Sequence, residues 1–287
     1  MRRRLARLAA ALAATGAVQA RLEEAACERV LGRARYGEPG RLHRHGARLF
    51  SQHEEDGIIA EIFRRIGTRD RCFVEFGAGD GLENNTHALL FAGWRGHWFE
   101  GSSGRAAAIR AGLPRTIASG RLTLVEGFLE PEGLARHLAA HGVPQRPDLL
   151  SIDVDGNDLH LLEALGAVRP RVIVAEYNAR FPPPTGYCRA YAKGHVWDGT
   201  GDYGASLTTL TERLGARGYR LVGCNLTGVN AFFVTAEEAE PAGRFRAPFT
   251  AEEHYEPRRP WRHAFAPGHP ASYGILENSE LIRGAGR

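Results

Sequence analysis

Short apolar runs alternate with amphipathic segments through the middle of the chain. The runs lie at 72–76, 97–100, 122–126, 149–153 and 171–177. Between them, apolar residues recur at helical spacing near 84–92, 104–111, 132–141 and 158–166. Strands that alternate with helices of this length predict a parallel sheet covered on both faces.

Two further apolar runs, 219–223 and 230–234, follow a helical pattern at 205–218 and are joined only by "CNLTGV". This connection is too short for a crossover helix, so the two runs must form an antiparallel hairpin. The sequence therefore predicts an α/β fold: a doubly wound, mostly parallel, seven-stranded Rossmann-like sheet that ends in an antiparallel hairpin.

The sequence predicts three further units: an N-terminal extension, a long loop within the central domain and a C-terminal tail. Residues 1–50 form a helical, arginine-rich extension that ends in a loop, ahead of a central domain at 51–238 that begins with a helix near 54–66. Within that domain, residues 178–204 are irregular and rich in Pro, Gly and aromatics. A loop of this length is usually functional or disordered, and its aromatic residues favour an ordered substrate wall. The tail at 239–287 is predicted to wrap around the domain.

The N-terminal "MRRRLARLAAALAATGAVQA" is open to two interpretations. Its basic start, apolar middle and small-residue end resemble a weak signal peptide. Leu5, Leu8 and Leu12 recur at helical spacing, however, and Arg7 interrupts the apolar stretch, so we favour an amphipathic helix. The chain has no run of the roughly 20 apolar residues that a membrane span needs.

Composition narrows the functional classes. With 43% hydrophobic and 24% charged residues, a net charge of +4 and a pI near 9.0, the chain has the composition of a soluble globular protein. No basic stripe alternates with aromatics, so we expect no nucleic-acid partner. The four cysteines form no C-x-x-C pair, which argues against zinc and redox motifs and favours a reducing, cytoplasmic location.

Three alternating glycines directly follow the first strand in "CFVEFGAGDG". Ligands of open α/β sheets bind beyond the carboxyl ends of the strands, at the switch point of the topology. We expect Gly77 to permit a sharp turn and Gly79 to let a ligand approach the backbone. Glu100 ends the second strand 23 residues after Gly77, close to the ~20 typical of an acid that binds ribose hydroxyls.

A dinucleotide is one possible ligand of such a turn, and S-adenosylmethionine is another. The dinucleotide fingerprint G-x-G-x-x-G/A fails because Leu82 occupies its sixth position. Asp80 and Glu83 would also repel a pyrophosphate. S-adenosylmethionine has ribose hydroxyls for Glu100 and a sulfonium for surrounding acids, and it carries no phosphate.

The combination "SQHEEDGIIAEIF", "FVEFGAGDGLENNTHALL", "GWRGHWFEG" and "LLSIDVDGND" resembles the FkbM-like class I S-adenosylmethionine-dependent methyltransferases over about residues 51–235. The shared features are a G-x-x-x-G-x-x-S/N-x-T pattern, an acid that ends the second strand and a terminal hairpin. The chain departs from the family where members often read "DvEG", because Asp155 stands in place of the glutamate.

The resemblance implies that the methyl donor binds along this turn and the next strand. The implied cofactor residues there are Glu75, Gly77, Ala78, Gly79, Asp80, Thr86 and Glu100. Glu126 or Phe128, after the third strand, would approach the adenine, and Asp153 would face the methionine end. Two alternatives stay open: Glu75 as a strand carboxylate bonded to nearby backbone amides, and Glu100 as a surface strand end.

Acids also follow the fourth and fifth strands. "DVDGND" resembles a calcium loop, but Ala164 at its twelfth position cannot supply the bidentate carboxylate. We therefore predict Asp158 as a helix N-cap. The candidate catalytic residues are Asp155, Glu176 and Asn178, with Asp155 or Glu176 as general base or acceptor-orienting group.

Each of these acids also has a competing interpretation. Asp155 with Gly156 could simply form a tight turn. The acids after strands four and five could instead converge on a divalent metal such as magnesium. His195, in the long loop, is a further candidate base, although a lone loop histidine is more often solvated.

These residues predict an S-adenosylmethionine-dependent methyltransferase, and the resemblance implies that it acts on a hydroxyl of a small molecule, such as a sugar or secondary metabolite. The alternatives are an NAD-type oxidoreductase on a similar sheet and a non-catalytic binding module with the same fold. The sequence makes no prediction about oligomeric state.

Overall fold

A seven-stranded sheet lies at the centre of the computed structural model, which describes residues 2–261 and 272–277. Its strands are β1 Cys72–Phe76, β2 Arg95–Glu100, β3 Leu122–Glu126, β4 Leu149–Ile152, β5 Val172–Glu176, β6 Tyr219–Cys224 and β7 Asn230–Thr235. The order is β3-β2-β1-β4-β5-β7-β6. Strands β1 to β5 are parallel, whereas β7 runs antiparallel to β5 and β6. The predicted fold class is confirmed.

Helices connect and cover the strands. They are α1 Arg2–Leu31, α2 Glu55–Ile66, α3 His87–Phe91, α4 Ser103–Gly112, α5 Pro114–Ala118, α6 Leu134–Ala140, α7 Asp158–Glu163, α8 Leu207–Ala216, α9 Ala236–Ala239, α10 Ala251–His254 and α11 Tyr273–Glu277. Helix α5 was not predicted. It begins a new helix after α4 because Pro114 occupies its first turn, where proline's missing N–H has no helical partner to lose.

Both faces of the sheet are buried, as the runs of apolar residues predict. Side chains alternate along a strand, so Val74 and Phe76 of β1 pack in one core cluster while Phe73 packs in the other. The first cluster takes apolar residues from α6, α7 and α8. The second takes them from α2, α3 and α4. The sheet is therefore doubly wound.

A buried ion network lies at the start of β5. Arg171 is 2% exposed and pairs with Asp148 at 2.5 Å and with Glu238 at 2.7 Å. The Asp148 carboxylate also accepts hydrogen bonds from the backbone amides of residues 69–71. This network joins β5 to the end of α2, because Arg171 also donates to the carbonyls of Ile66 and Gly67.

The described parts of the N-terminal extension and of the tail contact each other and the sheet domain. The tail contacts the N-terminal segment through Glu256, whose carboxylate accepts a hydrogen bond from the Tyr36 hydroxyl at 2.9 Å. Near the other end of the tail, the Tyr273 hydroxyl donates to the carbonyl of Asp80 at 2.6 Å. The rest of the predicted tail, 262–271 and 278–287, lies outside the described residues.

Residues 2–31 are helical, and α1 is the longest helix described. None of the helices within 2–261 and 272–277 combines the length and the hydropathy that a bilayer crossing requires.

We expect Arg171→Met to lower the free energy of unfolding by about 3–5 kcal/mol, because the substitution leaves buried Asp148 without a cation and Glu238 with only the partly exposed Arg69. Urea denaturation of the purified protein measures this change. The matched control is Arg146→Met, since Arg146 is exposed and pairs with exposed Glu237; its cost should stay below about 1 kcal/mol. Equal losses in the two variants would contradict a stabilising role for the buried network.

Candidate functional site

Two cavities lie at the carboxyl ends of the parallel strands. The first cavity, of about 690 Å³, lies beyond β1, β2 and β4, with further walls from the segment that follows β3 and from residues 194–196. The second cavity, of about 650 Å³, lies beyond β4 and β5. Because β1 neighbours both β2 and β4, the first cavity occupies the switch point at which open α/β sheets bind ligands.

Residues 77–81, here called the glycine turn, line one side of the first cavity. Gly77 has φ +80°, and a Cβ there would lie 1.8 Å from the carbonyl oxygen of Asp153. Its N–H donates to the carbonyl of Phe99 at 2.9 Å. Only glycine fits this position, because any side chain would collide with the backbone that leaves β4.

Gly79 differs from the other two glycines because it faces open space. A Cβ at Gly79 would meet no heavy atom of the described residues within 4 Å, whereas one at Gly81 would lie 2.7 Å from the Trp98 ring. Gly81 is therefore a packing residue, and Gly79 presents bare backbone to the cavity, as predicted for a position that a ligand approaches.

Glu100 closes the glycine turn from the end of β2. Its side chain is 4% exposed and lines the first cavity. One carboxylate oxygen accepts the Gly79 N–H at 2.8 Å, and the other accepts the Ser102 N–H at 2.8 Å. A carboxylate has about four acceptor positions, so Glu100 can accept further hydrogen bonds from hydroxyl groups in the cavity.

Glu75 is buried beneath the same turn, although it also borders the cavity. Its carboxylate accepts hydrogen bonds from Asn84 Nδ2 at 2.6 Å, Asn85 N at 2.9 Å and Thr86 Oγ1 at 2.5 Å. Burial nevertheless raises the pKa of Glu75 to about 7. This geometry matches the alternative in which Glu75 is a strand carboxylate that fixes the neighbouring chain.

The same contacts explain why α3 is shorter than the predicted helix at 84–92. Polar side chains that bond nearby groups compete with helix formation, and residues 84–86 are held against Glu75 instead. Thr86 also accepts a hydrogen bond from Trp98 Nε1 at 2.8 Å. It is fully buried and does not line the first cavity, so its position suits a role in support of the turn.

The two residues considered for the adenine end lie in different environments. Phe128 lines the first cavity and is 57% exposed, so it offers an apolar face to a ligand. Glu126 does not line the first cavity, and its carboxylate pairs with Arg110 at 2.7 Å on the surface. Phe128 is therefore the better candidate. Ala78 and Asp80 also line the first cavity.

Three residues line both cavities and so form their junction: Gln52, Asp153 and Asp155. Asp153 is open to the cavities, yet the surrounding protein removes enough water to raise its pKa to about 7, and repulsion from Asp158 and Asp155 adds to this shift. Asp155 has φ +60°, a left-handed conformation that non-glycine residues adopt mainly at turns and functional sites.

The loop that carries Asp153 and Asp155 is shaped by Asp158. The Asp158 carboxylate accepts the N–H groups of Val154 and Gly156, each at 3.0 Å. The N-cap prediction for Asp158 is wrong by one position, because α7 begins at Asp158 and its N-cap is Asn157, which makes no side-chain capping bond. The carboxylate is used by the preceding loop instead.

The second cavity contains the remaining predicted catalytic residues. Glu176 is half-buried there, and desolvation, followed by repulsion from Asp153 and Asp158, raises its pKa well above the usual value. Asn178 also lines this cavity, but its Nδ2 donates to the carbonyls of Gly201 and Tyr203, each at 2.9 Å. Asn178 therefore suits a role in holding the long loop better than contact with a substrate.

The predicted long loop at 178–204 forms a wall of both cavities. Residues 194–196 line the first cavity, and Arg180, Trp197 and Tyr203 line the second. The loop is tied to the segment after β4, because Asn157 Nδ2 donates to the carbonyl of Ala192 at 2.8 Å.

His195 lies close to the junction. A Cβ at Gly156 would be 3.1 Å from its ring, and its Nε2 is buried without a hydrogen-bond partner among the described residues. His195 thus lines the first cavity beside the loop that carries Asp155.

The sequence left open a divalent metal held by the acids that follow the fourth and fifth strands. Among residues 2–261 and 272–277, no group of three or more His, Cys, Asp or Glu side chains is arranged to hold a metal ion.

Gln52 is the residue at the junction that sequence reasoning missed. It precedes Glu54 and Glu55, which are fully buried. Glu55 accepts hydrogen bonds from Asn225 at 2.7 Å and Asn230 at 2.9 Å in the β6–β7 hairpin. This network fixes the segment that carries Gln52 beside β4. The sequence signal that could have identified Gln52 was the polar run "SQHEED" directly before an apolar helix. Taken alone, this run indicates only the start of a helix, and its place at the junction follows from the hairpin contacts.

No protein-family model matches the chain, and no match was found among curated proteins. Among solved structures, the chain is similar to magnesium protoporphyrin IX methyltransferase from Synechocystis PCC 6803 with bound S-adenosylmethionine, at 13% identity and a TM-score of 0.40, over 63% of this chain and 77% of that one.

It is also similar to the glycopeptide N-methyltransferase MtfA in complex with S-adenosylmethionine, at 16% identity and a TM-score of 0.37, over 62% of this chain and 86% of that one. At these identities and scores, the two likenesses do not identify a reaction. The resemblance to the FkbM-like family stays an expectation from the sequence.

We expect Gly77→Ala and Gly79→Ala to differ sharply in stability. Gly77→Ala should cost about 3 kcal/mol or more, because backbone strain adds to a collision with the Asp153 carbonyl. Gly79→Ala should cost only about 1–2 kcal/mol, the price of a left-handed conformation without a clash. Urea denaturation of both variants tests this order, and a Gly79 variant that is the less stable of the two would contradict the described turn.

Proposed function

We propose that the chain is an S-adenosylmethionine-dependent methyltransferase that methylates a hydroxyl of a small molecule. The main support for this proposal is that two adjacent cavities share Asp153, Asp155 and Gln52. The first cavity has the features of a nucleoside site, and the second is large enough for a small acceptor. A donor and an acceptor bound in the two cavities would meet at this junction.

The residues of the first cavity fit the methyl donor. Glu100 keeps acceptor capacity for ribose hydroxyls, bare backbone at Gly79 leaves room for the ligand, and Phe128 offers an apolar face for the adenine. Asp153 lies at the junction, where the methionine end of the donor would be bound. Glu75 and Thr86, in contrast, would support the turn from below without direct contact.

A dinucleotide fits the same turn poorly, because most backbone amides of the turn already have an acceptor. The N–H groups of Gly77 and Ala78 donate to Phe99, that of Gly79 donates to Glu100, and that of Gly81 donates to Ala78. The Leu82 N–H is bonded to Asp80. A pyrophosphate site needs such amides to be free, so this geometry favours a ligand without phosphates.

The chain's own task in this reaction is to align the acceptor and to remove its proton. S-adenosylmethionine, when bound, supplies an electrophilic methyl group on a sulfonium. Alignment at the junction lowers the entropic part of the barrier. Asp153 is the best candidate for the base, because its pKa near 7 is suited to take up a hydroxyl proton at neutral pH.

The other acids have supporting roles in this scheme. The sequence favoured Asp155 or Glu176 as the base, and we now propose that they orient the acceptor, since Glu176 lines only the second cavity. Asn178 would keep the long loop in place as the outer wall of the acceptor site.

We expect isothermal titration calorimetry to show micromolar binding of S-adenosylmethionine and no comparable binding of NAD. Glu100→Gln should weaken donor binding by about tenfold or more, because hydrogen bonds to a charged group contribute roughly 1.5–3 kcal/mol. Glu126→Gln is the matched control, since this acid ends the neighbouring strand but does not line the cavity; its affinity should equal that of the unchanged protein. Tighter binding of NAD would refute the proposal.

We expect the rate of S-adenosylhomocysteine formation with an accepted hydroxyl compound to rise with pH and to reach half its maximum near pH 7. The reason is that the raised pKa of Asp153 leaves its carboxyl protonated, and unable to accept a proton, at lower pH. Asp153→Asn should reduce the rate by about 10²-fold or more.

The control for this prediction is Glu212→Gln, which removes an exposed carboxylate on α8 and should leave the profile unchanged. Carboxylate ¹³C NMR titration gives a second readout that does not depend on turnover. A titration of Asp153 near its ordinary value, together with a flat pH profile, would rule out this residue as the base.

A further inference from the structure

The second cavity contains two arginines that the proposed reaction does not use. Arg180 and Arg258 both line this cavity, are exposed, and do not line the first cavity. No salt bridge joins either guanidinium to an acid within the part of the chain that the structure describes. Their charge is permanent, since arginine stays protonated at any physiological pH.

Arg180 lies across the backbone of Gly201. A Cβ at Gly201 would be 3.2 Å from both Cδ and Nη1 of Arg180, so the absence of a side chain there leaves space for the guanidinium along the cavity wall. The backbone N–H of Arg180 donates to Asn178 Oδ1 at 3.1 Å. The backbone at the base of this side chain is therefore held in place, while its charged end pairs with no carboxylate within residues 2–261 and 272–277.

Arg258 approaches the cavity from the C-terminal segment. It is close enough to Glu176 to oppose the rise in the pKa of that acid and close enough to Tyr203 to act on its hydroxyl. His53 is a further titratable group that faces it. The pKa of Glu176 nevertheless stays above its ordinary value, chiefly because of desolvation, so this acid is a weaker counter-ion for Arg258 than an ordinary glutamate.

An exposed aromatic ring completes the cavity. Trp197 is 49% exposed, and its Nε1 donates to the carbonyl of Thr200 at 2.7 Å. Its ring lies 6.4 Å from that of Tyr203 at an interplanar angle of 71°. An exposed, fixed indole in a polar cavity is suited to pack against a flat or ring-shaped ligand.

We propose that the second cavity takes an acceptor with an anionic group, a carboxylate, sulfate or phosphate ester, which binds Arg180 and Arg258 while its hydroxyl points toward Asp153. This inference rests on the proposed function and names the chemical class of the acceptor. The junction acids border both cavities, whereas Arg180 and Arg258 border only the acceptor cavity. Arginine suits this role because its planar fork matches the oxygens of such groups.

Inorganic sulfate tests the anion site without a known acceptor. The reporter is the indole N–H signal of Trp197 in ¹H–¹⁵N spectra of the full chain, assigned with Trp197→Phe. We expect a saturable shift with a millimolar Kd, measured against chloride at equal ionic strength. Phosphate and acetate, titrated in the same way, then distinguish a preference for tetrahedral anions from a preference for carboxylates.

Arg180→Gln and Arg258→Gln should each weaken sulfate binding at least fivefold, and the double variant should abolish it. Arg136→Gln is the matched control, because this exposed arginine lies on α6 and lines neither cavity; it should leave the shift unchanged. The proposal is overturned if no anion gives a saturable shift, or if the double variant responds like the unchanged protein.

Calorimetry with S-adenosylmethionine on the same samples separates the two proposals. If the methyl donor binds and the anions do not, only the acceptor class is wrong. If neither the anions nor the methyl donor bind, the proposed function itself is wrong.

Discussion

The site depends on the contact between the backbone of Gly77 and the carbonyl of Asp153. These groups lie so close that a Cβ at Gly77 would be 1.8 Å from the carbonyl oxygen. Since β1 and β4 are adjacent and parallel, this approach brings the glycine turn and the loop of Asp153 and Asp155 to one edge of the sheet. The contact places Asp153 and Asp155 where the two cavities meet, and a larger residue at position 77 would push the glycine turn away from their loop.

Buried carboxylates give the loops around this contact their shape. Glu75 holds residues 84–86, and Asp158 holds the backbone between Val154 and Gly156. Burial of an acid is costly, and hydrogen bonds from several donors offset that cost only in one loop conformation. The pKa values of Asp153 and Glu176 are raised first by desolvation and then by repulsion from neighbouring acids, so the same burial of acids would tune Asp153 for proton transfer in the proposed reaction.

Much of the fold could be predicted from local patterns, and less of the site. All seven strands lie within two residues of the predicted ranges, because continuous apolar runs are typical of strands buried on both faces. Residues 84–86 were predicted to be helical, since helical spacing does not reveal that their polar groups are bound to Glu75. At the end of β3, the sequence left open whether Phe128 or Glu126 approaches the adenine. The structure separates the two, because Phe128 lines the first cavity whereas Glu126 pairs with Arg110 on the surface.

Local patterns were enough to predict the sheet, its terminal hairpin and a glycine turn opposite an acid, because the carboxyl ends of parallel strands meet at one edge. Which residues share a cavity depends on tertiary contacts. Gln52 reaches the junction through contacts between α2 and the hairpin, which join residues 170 and 175 positions apart, and Arg258 comes from the C-terminal segment. Such encounters are set by long-range packing, and no local pattern of polar and apolar residues encodes them.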